Sequence, residues 1–331
     1  MPFNIDILED ELLSWGHGIL ENLLCCRTTG RNIIWATDDY NCWGEGYSFH
    51  DCITIEAICG KDLHVIQPRI AKPLAEQKSR TIEKAEIFSP SWLCNFQNNM
   101  IDETWFGRRY VFNEDDVDNK KWKTFHSPIQ FPEDKSWTNY VAARRLEITC
   151  GEAPYLVSRY DTTTGVLIPV EERIGLLDRK LRVVCENTES VADWLYYADI
   201  AYKSIYGYEW QGDNLILARE NLLVSFIEYH QWKFHDFPAK DVIAHFAYII
   251  SWNLWQMDGL KFVVPDSCHE EKKINSDLFQ SSEETISCEG CEKGNYLRHN
   301  GIYCLIKDWE EKDSDTGELG KTIRFVDLMK K

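Results

Sequence analysis

Positive charge is scarce in this chain of 331 residues. Lysine and arginine together number 36 against 54 aspartates and glutamates, so the formal net charge is −18 and the pI is near 5.0. A protein that grips a DNA backbone unaided needs many basic side chains to displace counterions. The composition therefore argues against strong DNA binding by the chain alone. It favours a solvated acidic surface, with a DNA-mimicking face as the alternative, and leaves basic pairs at 108–109, 120–121 and 144–145 as local contact patches.

Long hydrophobic runs are also missing. The apolar run at 19–24 is far shorter than the roughly 20 residues that cross a bilayer. The N-terminus is acidic, unlike a secretory signal, so we predict a cytoplasmic protein without membrane contact. There is no internal repeat or low-complexity tract, and a content of 44% hydrophobic residues is enough for one large α/β domain plus an appendage.

The most informative segment is 147–156, Glu-Ile-Thr-Cys-Gly-Glu-Ala-Pro-Tyr-Leu. It predicts a strand end, a glycine turn and a helix start, with Leu146 and Ile148 on a buried strand face. Gly151 would let the backbone approach a ligand, and the turn would direct main-chain N–H groups into a crevice. A plain tight connection between two elements is the alternative interpretation.

The same segment resembles the first motif of S-adenosylmethionine-dependent DNA adenine methyltransferases. Cys150-Gly151 and Tyr155-Leu156 fit that motif, whereas 152–154 replaces its small glycine-rich stretch. Upstream, residues 85–94 resemble the segment that precedes this motif and lines the methionine end of the cofactor. The resemblance implies cofactor contacts from Phe88, Ser89, Pro90, Thr149, Cys150, Gly151 and Glu152.

Two further motifs follow in the family's order. Residues 205–209 predict a strand that ends in Glu209, whose two oxygens can accept from both ribose hydroxyls, and 213–223 predict the helix that follows it. Residues 253–260 resemble the third motif, which implies that Asp258 accepts from the cofactor's adenine amine. The spacing from Gly151 to Glu209 exceeds the roughly 20 residues of a compact nucleotide-binding unit, so we predict an insertion at 162–197.

The chain as a whole resembles the group known as restriction endonuclease subunit M, the modification subunits of restriction-modification systems. Such enzymes hold the flipped adenine with a Pro-Pro-aromatic loop, and no Pro-Pro occurs in this sequence. By position, Pro265 and Asp266 are the nearest catalytic candidates. Residues 89–92, Ser-Pro-Ser-Trp, are the alternative in a circularly permuted enzyme.

The resemblance implies a defence-system protein that binds S-adenosylmethionine and, if active, methylates adenine in DNA. The alternative is a catalytically silent interaction or anti-restriction protein with the same fold. Any DNA contact is expected to depend on a partner subunit or on a local basic patch, with a restriction or specificity subunit as the candidate partner.

Twelve cysteines are present, and most lie among apolar residues as expected for reduced core thiols. Four ligands near the C-terminus have a spacing that suits a structural Zn²⁺ site, namely Cys288, Cys291, His299 and Cys304. Cys268 and His269 are possible replacement ligands if the chain between 270 and 287 folds back. Incidental thiols are the alternative interpretation.

We therefore predict an α/β protein with a Rossmann-like methyltransferase sheet, an N-terminal α+β region and a small zinc-stapled C-terminal module. The expected divisions are an N-terminal region at 1–112, a surface excursion at 113–138, a cofactor-binding domain at 139–266 and a zinc-knuckle and hairpin module at 267–331. Residues 52–56 predict a strand, and 303–306 and 322–326 predict the strands of the C-terminal hairpin.

Overall fold

The computed structural model describes residues 3–60, 64–277 and 280–330 and shows a mixed helix-and-strand protein with small sheets. Its α-helices are α1 Glu9–Trp15, α2 Ile19–Leu24, α3 Ile55–Ile58, α4 Leu74–Lys84, α5 Ser91–Phe106, α6 Trp137–Ala142, α7 Leu176–Asn187, α8 Val191–Lys203, α9 Gly212–Phe234, α10 Lys240–Asn253 and α11 Glu289–Lys293. The strands are β1 Asn113–Asp116, β2 Lys121–Thr124, β3 Arg145–Glu147, β4 Ile205–Glu209, β5 Leu254–Gln256, β6 Glu271–Asp277, β7 Gln280–Ile286, β8 Leu305–Lys312 and β9 Leu319–Arg324. In this described part, no helix is both long and apolar enough to cross a bilayer.

A three-stranded parallel sheet positions the site. Its order is β3-β4-β5, with Glu147 opposite Gly207 and Glu209 opposite Gln256. Helices form the crossover connections that parallel strands require: α7 and α8 lie between β3 and β4, and α9 and α10 lie between β4 and β5. Strand β4 is therefore central, and all five of its residues are buried.

Helix α9 forms the centre of the main hydrophobic core. Its residues 212–230 are all buried, including polar ones such as Arg219, whose guanidinium donates to the carbonyl of Leu254 at 2.6 Å. Buried polar side chains of this kind require hydrogen-bond partners, and the elements that surround the helix supply them. The cluster around it runs from Ile7 to Leu254 and crosses the divisions predicted after residues 112 and 138.

A second cluster lies on the opposite face of the sheet. Tyr206 and Tyr208 of β4 contact residues of the C-terminal part, including Cys304 and Phe325. The antiparallel hairpin β8–β9 adds hydrogen bonds, since Tyr206 donates to the carbonyl of Lys307 at 3.1 Å. The C-terminal hairpin that the sequence predicts is present, with longer strands than expected, and it covers one face of the parallel sheet.

Three local expectations are wrong. The segment predicted as a strand at 52–56 leads into α3, with a single bridge between Ile34 and Cys52. Leu146 and Ile148 are 44% and 63% exposed because β3 is an edge strand of the sheet. The described residues 148–169 contain turns and no α-helix, so no helix starts at the glycine turn. The stretch predicted as an insertion, 162–197, contains α7 and the first part of α8, and both helices contribute buried side chains to the main core.

Two glutamates are buried where ionisation is unfavourable. Burial raises the pKa of Glu9 to about 8 and that of Glu152 to about 7. An unfolded glutamate titrates near about 4.3, so between these values the folded protein binds more protons than the unfolded chain. These two groups therefore lower the free energy of unfolding as pH rises from about 4.5 to 8. Carboxyl groups with lowered pKa values, such as Asp213 and Glu228, change the free energy of unfolding only at pH values below this interval.

We expect Glu152→Gln to flatten the pH dependence of stability. Glutamine carries no charge at either pH, so the penalty for ionising a buried carboxyl disappears. The measurement is urea unfolding of wild type and variant at pH 5.5 and pH 8. Between pH 5.5 and pH 8, the free energy of unfolding should fall in both proteins. The fall should be smaller in the variant by on the order of 1–3 kcal/mol. Exposed Glu83→Gln is the matched control, and parallel profiles for wild type and Glu152→Gln would contradict the assignment.

Candidate functional site

A cleft of about 580 Å³ opens beside the carboxyl ends of β3 and β4. Its volume lies within the roughly 300–1,000 Å³ typical of small-molecule sites. Three separate parts of the chain form its walls: the end of α4 with the segment after it, the turn after β3, and the end of β4 with the start of α9. The lining residues are Lys84, Ala85, Glu86, Ile87, Phe88, Ser89, Glu147, Ile148, Thr149, Cys150, Gly151, Pro154, Tyr155, Glu209, Trp210, Gln211 and Asn214.

Two strand-end carboxylates hold the turn in place. Glu209 accepts from the backbone N–H of Gly151 at 2.9 Å, at the start of the turn. Glu147 accepts from the N–H groups of Tyr155 and Leu156 at 3.3 and 3.2 Å, at its far end. The N–H of Gly151 therefore binds a protein carboxylate. The acceptor itself lines the cleft, so the turn directs this N–H group to the cleft wall.

Backbone strain is concentrated in this turn. Thr149 and Ala153 have φ values of 46° and 62°, in the left-handed region that a β-branched residue such as threonine rarely adopts. Gly151 also has a positive φ of 52°, and a Cβ there would lie 3.2 Å from the ring of Phe88. Such conformations cost on the order of 1–3 kcal/mol each and cluster at functional sites. The carboxylate contacts described above hold the turn in this shape.

Carboxyl groups outnumber basic side chains on the cleft wall. Glu86, Glu147 and Glu209 line it, with Lys84 as the cationic residue among the lining side chains. Burial raises the pKa of Glu147 well above its usual range, and burial also raises that of Glu209. An anion entering this cleft would meet carboxylates and little positive charge. The lining therefore offers little positive charge that could hold a phosphate group.

Six of the nine predicted cofactor residues meet in the cleft. They come from segments about 60 residues apart along the chain and are Phe88, Ser89, Thr149, Cys150, Gly151 and Glu209. The hydroxyl of Tyr155 donates to Ser89 Oγ at 3.2 Å and so links the upstream segment to the turn.

Three predicted cofactor residues lie outside the cleft lining. Pro90 is the N-cap of α5. Glu152 points away from the cleft, where it accepts from the backbone N–H of Arg69 and the hydroxyl of Tyr160, both at 2.6 Å. Asp258 caps its own turn by accepting from the N–H of Leu260 at 2.9 Å.

The predicted catalytic residues are also elsewhere. Pro265 is buried, and an oxygen of exposed Asp266 lies 3.3 Å from Nε2 of His50. Neither residue lines the cleft. The loop that contains them connects the parallel sheet to the C-terminal part.

Sequence reasoning missed several lining residues. Glu147 had the same signal as Glu209, a carboxylate at the end of a strand before a turn, and could have been found by that rule. Gln211 and Asn214 belong to the start of a helix whose apolar pattern was recognised. Their position at the cleft follows from the crossing of α9 behind the sheet, which one sequence does not reveal.

Four side chains near the C-terminus could hold a metal ion: Cys268, Cys288, Cys291 and His299. The Nδ1 atom of His299 lies 3.5, 3.5 and 3.6 Å from the sulfurs of Cys268, Cys288 and Cys291. Tetrahedral zinc, with Zn–S near about 2.3 Å and Zn–N near about 2.0 Å, requires S–N separations of about 3.6 Å. The described ligand atoms therefore match a closed tetrahedral site.

One predicted ligand is replaced. Cys304 is fully buried in the second hydrophobic cluster, and its thiol donates to the carbonyl of Gln256 at 3.3 Å. Cys268, which the sequence offered only as a substitute, takes its place in the metal group. The reason is that Cys304 begins the hairpin that packs on the sheet, while the segment before β6 passes beside His299.

Two glycines allow this cluster to form. A Cβ at Gly290 would lie 2.6 Å from His299 Nδ1, and one at Gly301 would lie 3.0 Å from the sulfur of Cys268. Although burial opposes it, hydrogen bonds from the backbone of Asn300 and Cys291 lower the pKa of the Cys288 thiol to about 6. A thiol ionised at neutral pH is a prepared metal ligand.

Comparisons of the chain with protein-family models, with curated proteins and with solved structures found no match.

We expect the purified protein to contain about one equivalent of a bound metal ion, and Cys268→Ser to reduce that content strongly. Loss of one thiolate opens the tetrahedral site and weakens metal binding. The measurement is elemental analysis, together with thermal unfolding before and after chelation. Cys304→Ser is the matched control and should retain the metal. Retention in Cys268→Ser with loss in Cys304→Ser would instead support the ligand set predicted from sequence.

Proposed function

We propose that the cleft binds S-adenosylmethionine and that the chain is a methyltransferase-like protein of a restriction-modification or related defence system. The observation that carries the proposal is that residues picked from two separated motifs and an upstream segment line one cavity. Phe88 and Ser89, the turn 149–151, and Glu209 all border it. In the related enzymes the same segments surround the cofactor.

The charge of the cleft favours this cofactor over nucleotides. Among the described residues, Lys84 is the one basic side chain of the lining, so the cleft offers little to bind the phosphates that dinucleotides and nucleoside triphosphates all carry. S-adenosylmethionine has no phosphate and carries a positive sulfonium group. Glu209 can still accept from a ribose hydroxyl, because a carboxylate offers about four acceptor positions and this one uses three for the N–H groups of Gly151, Gln211 and Trp210.

The sheet supports a Rossmann-like assignment as part of the same proposal. Parallel strands β3, β4 and β5 follow each other in chain order with helical crossovers, and the cleft lies at the carboxyl ends of β3 and β4. Ligands of open parallel sheets occupy that edge. The structure differs from a Rossmann-like fold after β3. There the chain continues into further turns, whereas such folds begin a helix at this point.

We propose that the isolated chain does not methylate DNA. Pro265 and Asp266 lie outside the cleft lining, and Asp266 is engaged by His50. A flipped adenine needs acceptors for its amine and a stacking ring, which this loop does not bring to the cleft. The chain would then act with a restriction or specificity subunit that supplies the DNA contact.

An active enzyme is the second candidate. It would use residues 89–92, Ser-Pro-Ser-Trp, as its catalytic loop in a permuted arrangement. The specific observation in its favour is that Ser89 lines the cleft and accepts a hydrogen bond from Tyr155 at 3.2 Å.

We further propose zinc as the ion of the C-terminal cysteine and histidine group, in a structural role. All four ligand positions come from the protein, so no coordination site remains for a substrate.

Glu209→Gln should weaken S-adenosylmethionine binding at least tenfold. Replacing a charged acceptor of the ribose hydroxyls costs roughly 1.5–3 kcal/mol, and about 1.4 kcal/mol corresponds to a factor of ten. Isothermal titration calorimetry measures the affinity, and thermal unfolding checks that the variant is folded. Exposed Glu189→Gln carries the same charge change away from the cleft and should bind normally. Equal affinity in both variants would remove the ribose assignment.

Tritium transfer from labelled cofactor to unmethylated DNA at low salt should be at background for the chain alone. The missing loop and the net charge of −18 both weaken productive DNA contact. Adding subunits encoded beside it tests dependence on a partner. If the chain alone methylates DNA robustly and Ser89→Ala removes that activity while Ser190→Ala does not, the second candidate function is correct.

A further inference from the structure

Two amide side chains stand next to each other at the start of α9. Gln211 is the N-cap and Asn214 lies three residues further on, so both occupy one face of the first turn. Both line the cleft, and they are only 5% and 2% exposed. Two nearly buried amides at a ligand cavity can select a ligand whose donors and acceptors match their own.

A buried charged group fixes the orientation of each amide. The guanidinium of Arg80 donates to Gln211 Oε1 at 2.7 Å. Because arginine has only donors, the amide oxygen must face it and the Nε2 group must point away. In the second amide, Asn214 Nδ2 donates to Glu86 Oε2 at 3.1 Å. Because a carboxylate only accepts, the Oδ1 atom of Asn214 must point away from it.

Arg80 and Glu86 are themselves held rigidly. The Nε atom of Arg80 donates to Glu86 Oε2 at 2.8 Å, and its Nη1 donates to Asp39 at 2.9 Å. Both side chains are almost completely buried, at 1% and 4% exposure. The amide orientations therefore follow from a fixed ion pair behind the cleft wall.

The opposite ends of the two amides remain available. In the described part of the chain, no hydrogen-bond partner is found for Gln211 Nε2 or Asn214 Oδ1, and neither atom is enclosed by protein. The cleft wall thus presents one fixed donor beside one fixed acceptor.

We infer that Gln211 and Asn214 determine specificity for a 6-aminopurine at this site, with Gln211 donating to ring N1 and Asn214 accepting from the 6-amine. A 6-oxopurine presents the reverse pattern, an acceptor at O6 and a donor at N1, and so is rejected. Arg80 and Glu86 are positioning residues for this pair. The inference rests on the proposed nucleoside-binding function and supplies the amine acceptor that Asp258, outside the cleft lining, does not.

The test compares S-adenosylhomocysteine with S-inosylhomocysteine, two ligands that differ only in this edge of the base. Calorimetry on the wild-type chain should show at least tenfold tighter binding of the adenosyl compound. Gln211→Glu keeps an acceptor for Arg80 but replaces the Nε2 donor with a second acceptor. This variant should bind the adenosyl compound more weakly. Its preference for the adenosyl over the inosyl compound should be at least fivefold smaller than that of wild type. Gln231→Glu, the same substitution in α9 away from the cleft, is the matched control and should leave the preference unchanged.

The outcomes separate this inference from the proposed function. If the wild-type chain binds both ligands equally, or Gln211→Glu leaves the preference intact, the cleft binds nucleosides but the amide pair does not read the base, and the inference is overturned. If the wild-type chain binds neither ligand, the proposed function fails and the inference fails with it. The wild-type comparison needs no substitution, so it decides the matter even if Gln211→Glu does not fold.

Discussion

The turn that follows β3 depends on two carboxylates that accept hydrogen bonds from its backbone N–H groups. Glu209 and Glu147 lie at the ends of adjacent parallel strands and accept from the two ends of the turn. Buried N–H groups require such partners, and the strained φ of Thr149 persists only because they are present. The close approach of Phe88 to Gly151, and so the shape of the cleft, follows from this arrangement.

A buried ionic network joins the N-terminal region to α9. Asp213, in the first turn of the helix, lies 2.9 Å from both Lys72 and Arg80. Although burial opposes ionisation, Arg80 and Lys72 hold the pKa of Asp213 below its usual range. Buried ions need complete pairing, which makes this network geometrically demanding. It explains why the region before residue 113 shares one core with the sheet, and it fixes the amides that face the cleft.

The C-terminal part stabilises the sheet from its other face. Side chains alternate along β4, so Tyr206 and Tyr208 point toward Cys304 and Phe325, on the face away from the main core. The cysteine and histidine group closes the segment just before that packed hairpin. The metal group and the cleft therefore lie in different parts of the structure and have separate chemistry.

The sequence by itself determined the local elements with strong patterns. Strand 205–209 has the predicted bounds, and the helix after it begins one residue before the predicted start and runs further than expected. The pattern of glycine, cysteine and histidine near the C-terminus indicated a metal site and three of its four ligands. These features depend on residues that are close along the chain.

Only the tertiary structure decided which distant residues share a site. It brought Cys268 rather than Cys304 to His299, left Asp258 and Pro265 outside the cleft lining, and added Gln211 and Asn214 to it. It also left Leu146 exposed, because apolar character along a strand does not reveal whether a neighbouring strand or helix will cover it. Contacts between residues far apart in sequence depend on how whole helices and strands pack. The pattern of neighbouring residues in the sequence does not specify that packing.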